Sequence, residues 1–364
     1  MKQIIMILTN EFLPDVRVYK EAKYLISKGF EVRILCWQRN VNYSLPTQEV
    51  VDGIFVNRFV IESVPGSRLK QIRPFRLFIK NCKSFLKKHH CDYLHCNDID
   101  GAIVGYLARR KRTPMVFDMH EYYEKGNGVV RFFWRSLIIF LLKKSIAGIY
   151  ENTAYLDRKY KKVKNKLFML KNYPDSSLVK RMDKIKSDVF RIGYHGAVRS
   201  QVMFFSALFE AVKDMDDVRV DINGEGPDNP ELMALAEKYN NVFIHGPFDG
   251  TKVLSQLYAN TDVLFCGYNK NSLNYQGDAE VVKFYEAIFT GTPMIMTDGI
   301  GMSKKVIDNG YGVVCDVTNP NDIKEAIVKL KNTEYWNECS EKEIANSNQY
   351  NWDSAVKILD SIYE

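Results

Sequence analysis

Short apolar runs alternate with amphipathic runs of helical period along almost the whole chain. In the first half, QIIMILT, EVRILCW, DYLHCN and MVFDM read as short buried strands. Between some of them, VRVYKEAKYLISKG, closed by Gly29, and GAIVGYLARR carry a helical period. In the second half, FRIGYHG, VRVDING, NVFIHG, DVLFCG, TPMIMTD and GVVCD read as strands. MFFSALFEAVKD, PELMALAEKY, TKVLSQLYAN and EVVKFYEAIF read as helices. Such alternation predicts right-handed βαβ units and parallel sheets. The pattern breaks near KNYPDSSLVK (171–180), at Pro174 and a polar run, which places a hinge there. The expected architecture is α/β, with two doubly wound parallel-sheet domains facing across a cleft. Their expected bounds are 1–172 and 173–345, with a last segment over 346–364.

Length and composition fit this reading. A chain of 364 residues can bury two ordinary cores, and 46% hydrophobic with 26% charged residues is globular in character. No apolar run approaches the roughly 18–20 residues that a membrane-spanning helix needs. The start, MKQIIMILTN, lacks a small-residue cleavage site and is not read as a signal peptide. The 7 cysteines form no CxxC pair, which suits reduced thiols in a cytoplasmic protein and not a disulfide frame or zinc site.

Charge is uneven. Residues 1–175 hold 32 Lys/Arg against 16 Asp/Glu, whereas residues 176–364 hold 19 against 28. A basic half joined to an acidic half points to a polyanion or an anionic membrane facing the first half alone. The stretch RLKQIRPFRLFIKNCKSFLKKHH (68–90) holds eight Lys/Arg and no acid, with Phe75, Phe78 and Phe85 interleaved. RRKR (109–112) and the amphipathic VVRFFWRSLIIFLLKKS (129–145) follow. These segments suit an anionic inner leaflet, and ordinary core helices with solvated basic faces are the alternative. No RNA- or DNA-binding motif accompanies the charge, so nucleic acid is not expected as a partner.

Ligands of open parallel sheets bind beyond the carboxyl ends of the strands. The loops of interest are NEFLPD, HCNDID, FDMHE, YHGAVR, NGEGP and the segment before EVVKFYE. In this order they resemble the retaining glycosyltransferases of the GT-B fold, glycosyltransferase family 4. LTNEFLPDVRVYKEAKYLISKGFEVRIL is similar to the family's opening strand–loop–helix, and FDMHE to the strand end carrying its active-site histidine. DAEVVKFYEAIFTGTPMIMTD resembles its E-x(7)-E signature with a G-x-P turn. NWDSAVKILDSIYE resembles the terminal helix that crosses back to the first domain. The chain departs from the pattern at three points. Asp278 stands for the first Glu of the signature. EFLPDVR replaces a Gly-rich loop. VMFF occupies the place of a lysine usual after Arg199, and Lys283 is the candidate to replace that charge.

The resemblance implies a Rossmann-like acceptor domain followed by a Rossmann-like nucleotide-sugar donor domain. A carboxylate in the stripe Val282–Glu286–Phe289 needs donors, and ribose hydroxyls would supply them. Backbone amides or a neighbouring lysine are the structural alternative. Asp278 reads either as a helix N-cap or as a donor-sugar contact. Free amides at the helix start, Val281 and Val282 among them, form an anion site for a diphosphate, with Lys283 beside them. Lys283 as a solvated surface residue is the other reading. Arg199, following Gly196, suits bidentate phosphate contact or a surface ion pair. Gly226 lies in the GEGP turn, a phosphate loop or simply a tight one. His120 is expected beside the transferred sugar, with a structural role as the alternative. Asp118 reads as its orienter or as a loop cap. Asp15, Arg17 and Glu121 are the candidates for the acceptor, and an Asp15–Arg17 ion pair is an equal reading. Asp98 and Asp100 form a D-x-D, for which capping the helix near Gly101 is the simpler role. No obligatory metal or cofactor is expected, and a UDP- or GDP-linked sugar serves as co-substrate.

The implied function is transfer of a sugar to a glycan or lipid-linked glycan, with retention, in cell-surface polysaccharide or glycan biosynthesis. The implied location is the cytoplasm, at the inner face of the cell membrane. A nucleotide-sugar 2-epimerase of the same fold and a non-catalytic partner subunit are the alternatives. A dinucleotide oxidoreductase is disfavoured because GxGxxG is missing after the first strand.

Overall fold

The structure, a computed structural model, describes residues 1–13, 15–41, 44–63, 68–124, 126–151, 153–156, 158–272, 275 and 280–363. It divides into two compact units, Met1–Lys171 with Ser354–Glu364, and Asn172–Asp353.

In the first unit, β1 (Gln3–Leu8), α1 (Val16–Ser27) and β2 (Glu31–Gln38) form the opening βαβ unit. Then come β3 (Gln48–Val51), β4 (Ile54–Val60), α2 (Arg68–Lys88), β5 (Tyr93–Asn97), α3 (Asp98–Ala108), β6 (Met115–Met119), α4 (Gly128–Lys144), β7 (Ala147–Tyr150) and β8 (Leu167–Met169). The sheet order is β3-β4-β2-β1-β5-β6-β7-β8. All pairings are parallel except β3–β4, an antiparallel hairpin across Asp52-Gly53. The Asp-Gly pair has positive φ at both residues, the signature of a two-residue hairpin turn. β1 lies between β2 and β5, so the order of strands reverses there, where open sheets bind ligands. The core gathers Ile5, Ile7, Leu35, Trp37, Phe78, Leu94, Val104 and Phe117, all buried.

The second unit runs β9 (Phe190–His195), α5 (Val202–Val212), β10 (Val218–Asn223), α6 (Asn229–Ala236), β11 (Val242–Gly246), α7 (Leu254–Ala259), β12 (Val263–Cys266), α8 (Val282–Thr290), β13 (Met294–Thr297), α9 (Gly301–Asn309), β14 (Gly312–Cys315), α10 (Pro320–Lys331) and α11 (Thr333–Asn346). Its sheet is fully parallel in the order β11-β10-β9-β12-β13-β14, with the reversal at β9.

Two helices are shorter than their sequence pattern suggests. α7 covers only Leu254–Ala259. α8 starts at Val282, four residues after the expected Asp278, with Val281 in extended geometry at its N-cap. Asp278 itself lies outside the described residues. α8 ends at Gly291, whose left-handed φ of 64° closes the helix ahead of Pro293. The expected segment 346–364 is not one helix. α11 stops at Asn346, a 3-10 turn follows over Ser347–Gln349, and α12 (Trp352–Ala355) leads into a 3-10 run over Val356–Ser361. The run NSNQYN (346–351) explains the break: Ser and Asn bond their own backbone, as Ser347 Oγ does to the Ile344 carbonyl at 2.7 Å.

Candidate active site

β6 is buried along its length and carries Asp118 next to its end. A buried carboxylate must be paired or it discharges. Arg17, from the first turns of α1, donates to it through Nη2 at 3.0 Å and Nε at 3.3 Å. His120 Nε2 lies 2.8 Å from the same carboxylate. His95 Nε2, from β5, stands 3.7 Å away. Arg17 also pairs with Glu21 at 3.1 Å and Glu151 at 3.5 Å, and donates to the Leu170 carbonyl at 3.3 Å. His95 is shared with Glu21 at 3.3 Å, and its Nδ1 meets the Tyr363 hydroxyl at 2.5 Å. On the outer side, His120 Nδ1 faces Asp98 at 3.7 Å. The Asp98 carboxylate accepts from the Tyr123 hydroxyl.

These charges set one another's protonation. Burial works against a charged His120, but Asp118 and Asp98 outweigh it and push it up to about 10. His95 follows the same logic: burial is overcome by Asp118 and Glu21, and its value rises to about 9. Burial would raise Asp118, yet Arg17 and His120 hold it well below the usual carboxylate range. The network therefore aims a protonated imidazole, 15% exposed, outward from the sheet end. Glu21, His95 and Asp118 bring ligand atoms within 4.8 Å of one another, a spacing that could suit a metal ion. Arg17 bridges both carboxylates, so a guanidinium already fills the cation position.

Several expected roles change here. Arg17 makes no local pair with Asp15; it is turned inward and only 4% exposed. Asp15 is the N-cap of α1, accepting from the Val18 amide at 3.3 Å and from Asn10 Nδ2 at 3.1 Å. Asp98 does not cap α3. Asn97 holds the N-cap position, and Asp98, at a φ of 61°, turns its carboxylate to His120 and Tyr123. Positive φ is uncommon for a non-glycine residue and concentrates at functional sites. Glu121 is exposed beside His120, and its carbonyl accepts from Tyr155 at 3.0 Å. Asp118 takes the orienting role.

The second unit builds a site on α8 and the end of β9. Glu286 is buried and accepts from the Tyr258 hydroxyl at 3.0 Å, a donor that neither sequence reading foresaw. One turn earlier, Lys283 is buried as well, with Nζ over the Tyr194 ring at 3.5 Å. It is not a solvated surface lysine. Burial pulls its ammonium down to about 8, against the opposing pull of Cys266 and Glu286. A Cβ on Gly196 would stand 3.1 Å from that Nζ, so the bare backbone after β9 leaves the lysine its place. The Tyr194 hydroxyl donates to the Ala197 carbonyl at 2.6 Å, which fixes the ring against the same loop. Val281 holds the N-cap position of α8 in extended geometry and, among the described residues, no side chain caps the helix. Arg199 is exposed on the loop after β9. Gly226 has a packing reason: a Cβ there would come within 1.8 Å of the Val198 carbonyl oxygen.

Two doubly wound units of this kind make up the GT-B fold. The chain belongs to the group 1, family 4 glycosyltransferases: residues 196–350 match the family model Glycosyl transferases group 1, and residues 15–153 match Glycosyltransferase Family 4. Among solved structures, it is similar to the sucrose-phosphate synthase of Thermosynechococcus elongatus, at 15% identity and a TM-score of 0.75, covering 100% of this chain and 98% of that one. It is also similar to Anabaena HepE in complex with UDP and glucose, at 13% identity and TM-score 0.65, covering 98% of each chain. A UDP-N-acetylglucosamine 2-epimerase shares the fold, at 11% identity and TM-score 0.64, covering 100% of this chain and 96% of that one. No curated protein sequence matches the chain.

Proposed function

We propose that this protein transfers a sugar from a UDP- or GDP-linked donor to a carbohydrate or lipid-linked carbohydrate acceptor, with retention, in cell-surface polysaccharide or glycan biosynthesis. The observation that carries the proposal is the grouping on α8. A helix start with no capping side chain among the described residues, a buried lysine at the glycine loop after β9, and a buried carboxylate one turn on together suit a nucleoside diphosphate.

In this reading Glu286 binds the ribose hydroxyls. Val281 and Val282 offer amides to the diphosphate, joined by Lys283 and by Arg199 swinging from its exposed loop. Gly196 and Gly226 shape that loop. Asp278 contacts the donor sugar, and His120 donates to one of its hydroxyls. Asp15 and Glu121 face the acceptor, and Arg17 acts through Asp118. The bond from the anomeric carbon to the diphosphate oxygen breaks, and the acceptor oxygen bonds to the same face. The acceptor proton passes to the departing phosphate, whose charge the helix start, Lys283 and Arg199 stabilise. No metal is assigned to this step.

The acceptor side rests on the first unit's surface. Val129, Phe132 and Phe133 are 79%, 68% and 60% exposed at the start of α4, beside exposed Arg131. Exposed aromatics with basic neighbours suit shallow insertion into an anionic leaflet. Among the described residues no helix is long and apolar enough to cross a membrane. In a flotation assay with phosphatidylglycerol vesicles, the wild-type chain should rise with the lipid, and the pair Phe132→Asp, Phe133→Asp should stay behind. Equal flotation of both would remove this surface from the proposal.

The donor reading is tested by calorimetry with UDP, GDP and ADP. Glu286→Gln should weaken the preferred nucleotide about tenfold or more with the fold intact, whereas His120→Ala should leave nucleotide affinity in place and abolish transfer. Unchanged affinity in Glu286→Gln would refute the ribose assignment. Turnover of the sugar nucleotide without any acceptor would point to an epimerase.

A further inference from the structure

The tail of the chain folds onto the first unit. Asp360 binds Lys28 at 2.9 Å and the Tyr24 hydroxyl at 2.9 Å, both on or just after α1. Three residues later, Tyr363 is buried edge-on to Tyr93 and Phe30, and its ring lies nearly parallel to His95 at 16°. Its hydroxyl meets His95 Nδ1, and the other nitrogen of His95 faces Glu21 and Asp118. Asp118 in turn holds His120.

We propose that Tyr363 is a positioning residue for His120, acting through His95 and Asp118, so that the last turn of the chain sets the aim and charge of the outward-facing histidine. This rests on the sugar-transfer reading only for the consequence, namely that His120 serves catalysis.

The physics is a chain of shared partners. Two carboxylates face His95 Nε2, which favours the imidazolium, and an imidazolium buried on all sides needs an acceptor for its second N–H. The Tyr363 oxygen is that acceptor. With His95 charged, the negative charge of Asp118 is divided among Arg17, His95 and His120. With His95 neutral, Asp118 leans on Arg17 and His120 alone, and its grip on His120 tightens. Among the described residues, the charged and titratable groups around this chain are Arg17 and Glu21 from α1, Tyr93, His95 and Cys96 from β5, Asp98 at the start of α3, Asp118 and His120 around β6, Tyr123 beyond it, Glu151 after β7 and Tyr363 from the tail. Burial opposes the charge of both histidines and the carboxylates outweigh it, which fits the same picture.

The test is Tyr363→Phe, which keeps the ring packing and removes only the hydroxyl. Titration of the histidine ring nitrogens is followed by NMR in the full chain, with His95→Gln and His120→Gln for assignment. The proposal expects His95 to titrate about half a unit or more lower and His120 correspondingly higher. Both titrations unchanged in a folded variant overturn it, and so does a lowered melting temperature with both titrations in place. Neither readout needs a donor or an acceptor, so failure of the sugar-transfer reading and failure of this proposal are separate results. With an active donor–acceptor pair, the alkaline limb of kcat should move with His120, and KM for the donor should stay put.

Discussion

The two polar sites use opposite strategies. In the first unit, Asp118 is enclosed by Arg17, His95 and His120, and these are tied to Glu21, Glu151, Asp98 and Tyr363. In the second, Glu286 accepts from the Tyr258 hydroxyl, and Lys283 rests on the face of the Tyr194 ring beside the Gly196 backbone. A cross-braced network fixes the direction of one imidazole and is costly to disturb. Lys283, seated on the Tyr194 ring, stands in the first turn of a helix whose N-cap residue, Val281, has no capping side chain. The first site is braced by pairs between charged side chains, whereas in the second the buried lysine is held by an aromatic ring.

The comparison breaks most visibly at Asp118. Asp118→Asn leaves buried cations without their shared anion, and breaking a buried pair costs about 3–5 kcal/mol. Thermal or urea denaturation should show that loss. A pH series sharpens it. His95 and His120 are raised from 6.5 to about 9 and about 10 in the folded state. Their contribution is therefore full below pH 6.5 and is lost as pH rises through 9 to 10. The wild-type melting temperature should fall over that window, and Asp118→Asn should flatten the fall. An Asp118→Asn protein as stable as wild type would mean the network is not the brace described.

Lys283→Met should do the reverse in the second unit. Lys283 is lowered from 10.5 to about 8, so the folded state holds fewer protons than the unfolded chain between these values. The cost of burying the ammonium is full below pH 8 and is relieved as pH climbs toward 10.5. The methionine variant should gain on the order of 1–3 kcal/mol at neutral pH and lose that alkaline rise. It should also bind nucleoside diphosphates about tenfold more weakly. Greater stability with unchanged nucleotide affinity would separate the lysine from the ligand.

Much of the fold was legible. Strands such as QIIMIL and VLFC are apolar on both faces because helices cover both faces of a parallel sheet, and the pattern records that burial directly. The β3–β4 hairpin was missed although Asp52-Gly53 signals it, because Glu49 and Arg58 obscure the alternation that flags a strand. The break after α11 turned on side-chain competition for backbone groups, which periodicity does not weigh.

The candidate residues were legible in kind more than in role. Glu286 stood out as a carboxylate in an apolar stripe, and His120 as a polar residue at a strand end. Arg17 looked like a loop residue for an acceptor, and Asp98 like a cap. Glu21, His95, Tyr258 and Tyr363 gave no signal, since a glutamate on a helix, a histidine in a strand and tyrosines in apolar runs are ordinary in isolation.

Sequence alone determined the two parallel sheets, the order of their elements and which loops leave the strand ends, because burial periodicity is a local property that each segment carries by itself. Tertiary structure decided which charges share a partner. Residues 17, 95, 118 and 363 meet only after β1, β5 and β6 align and the tail packs on α1, and the pairing of a buried ion depends on distances that no spacing along the chain encodes.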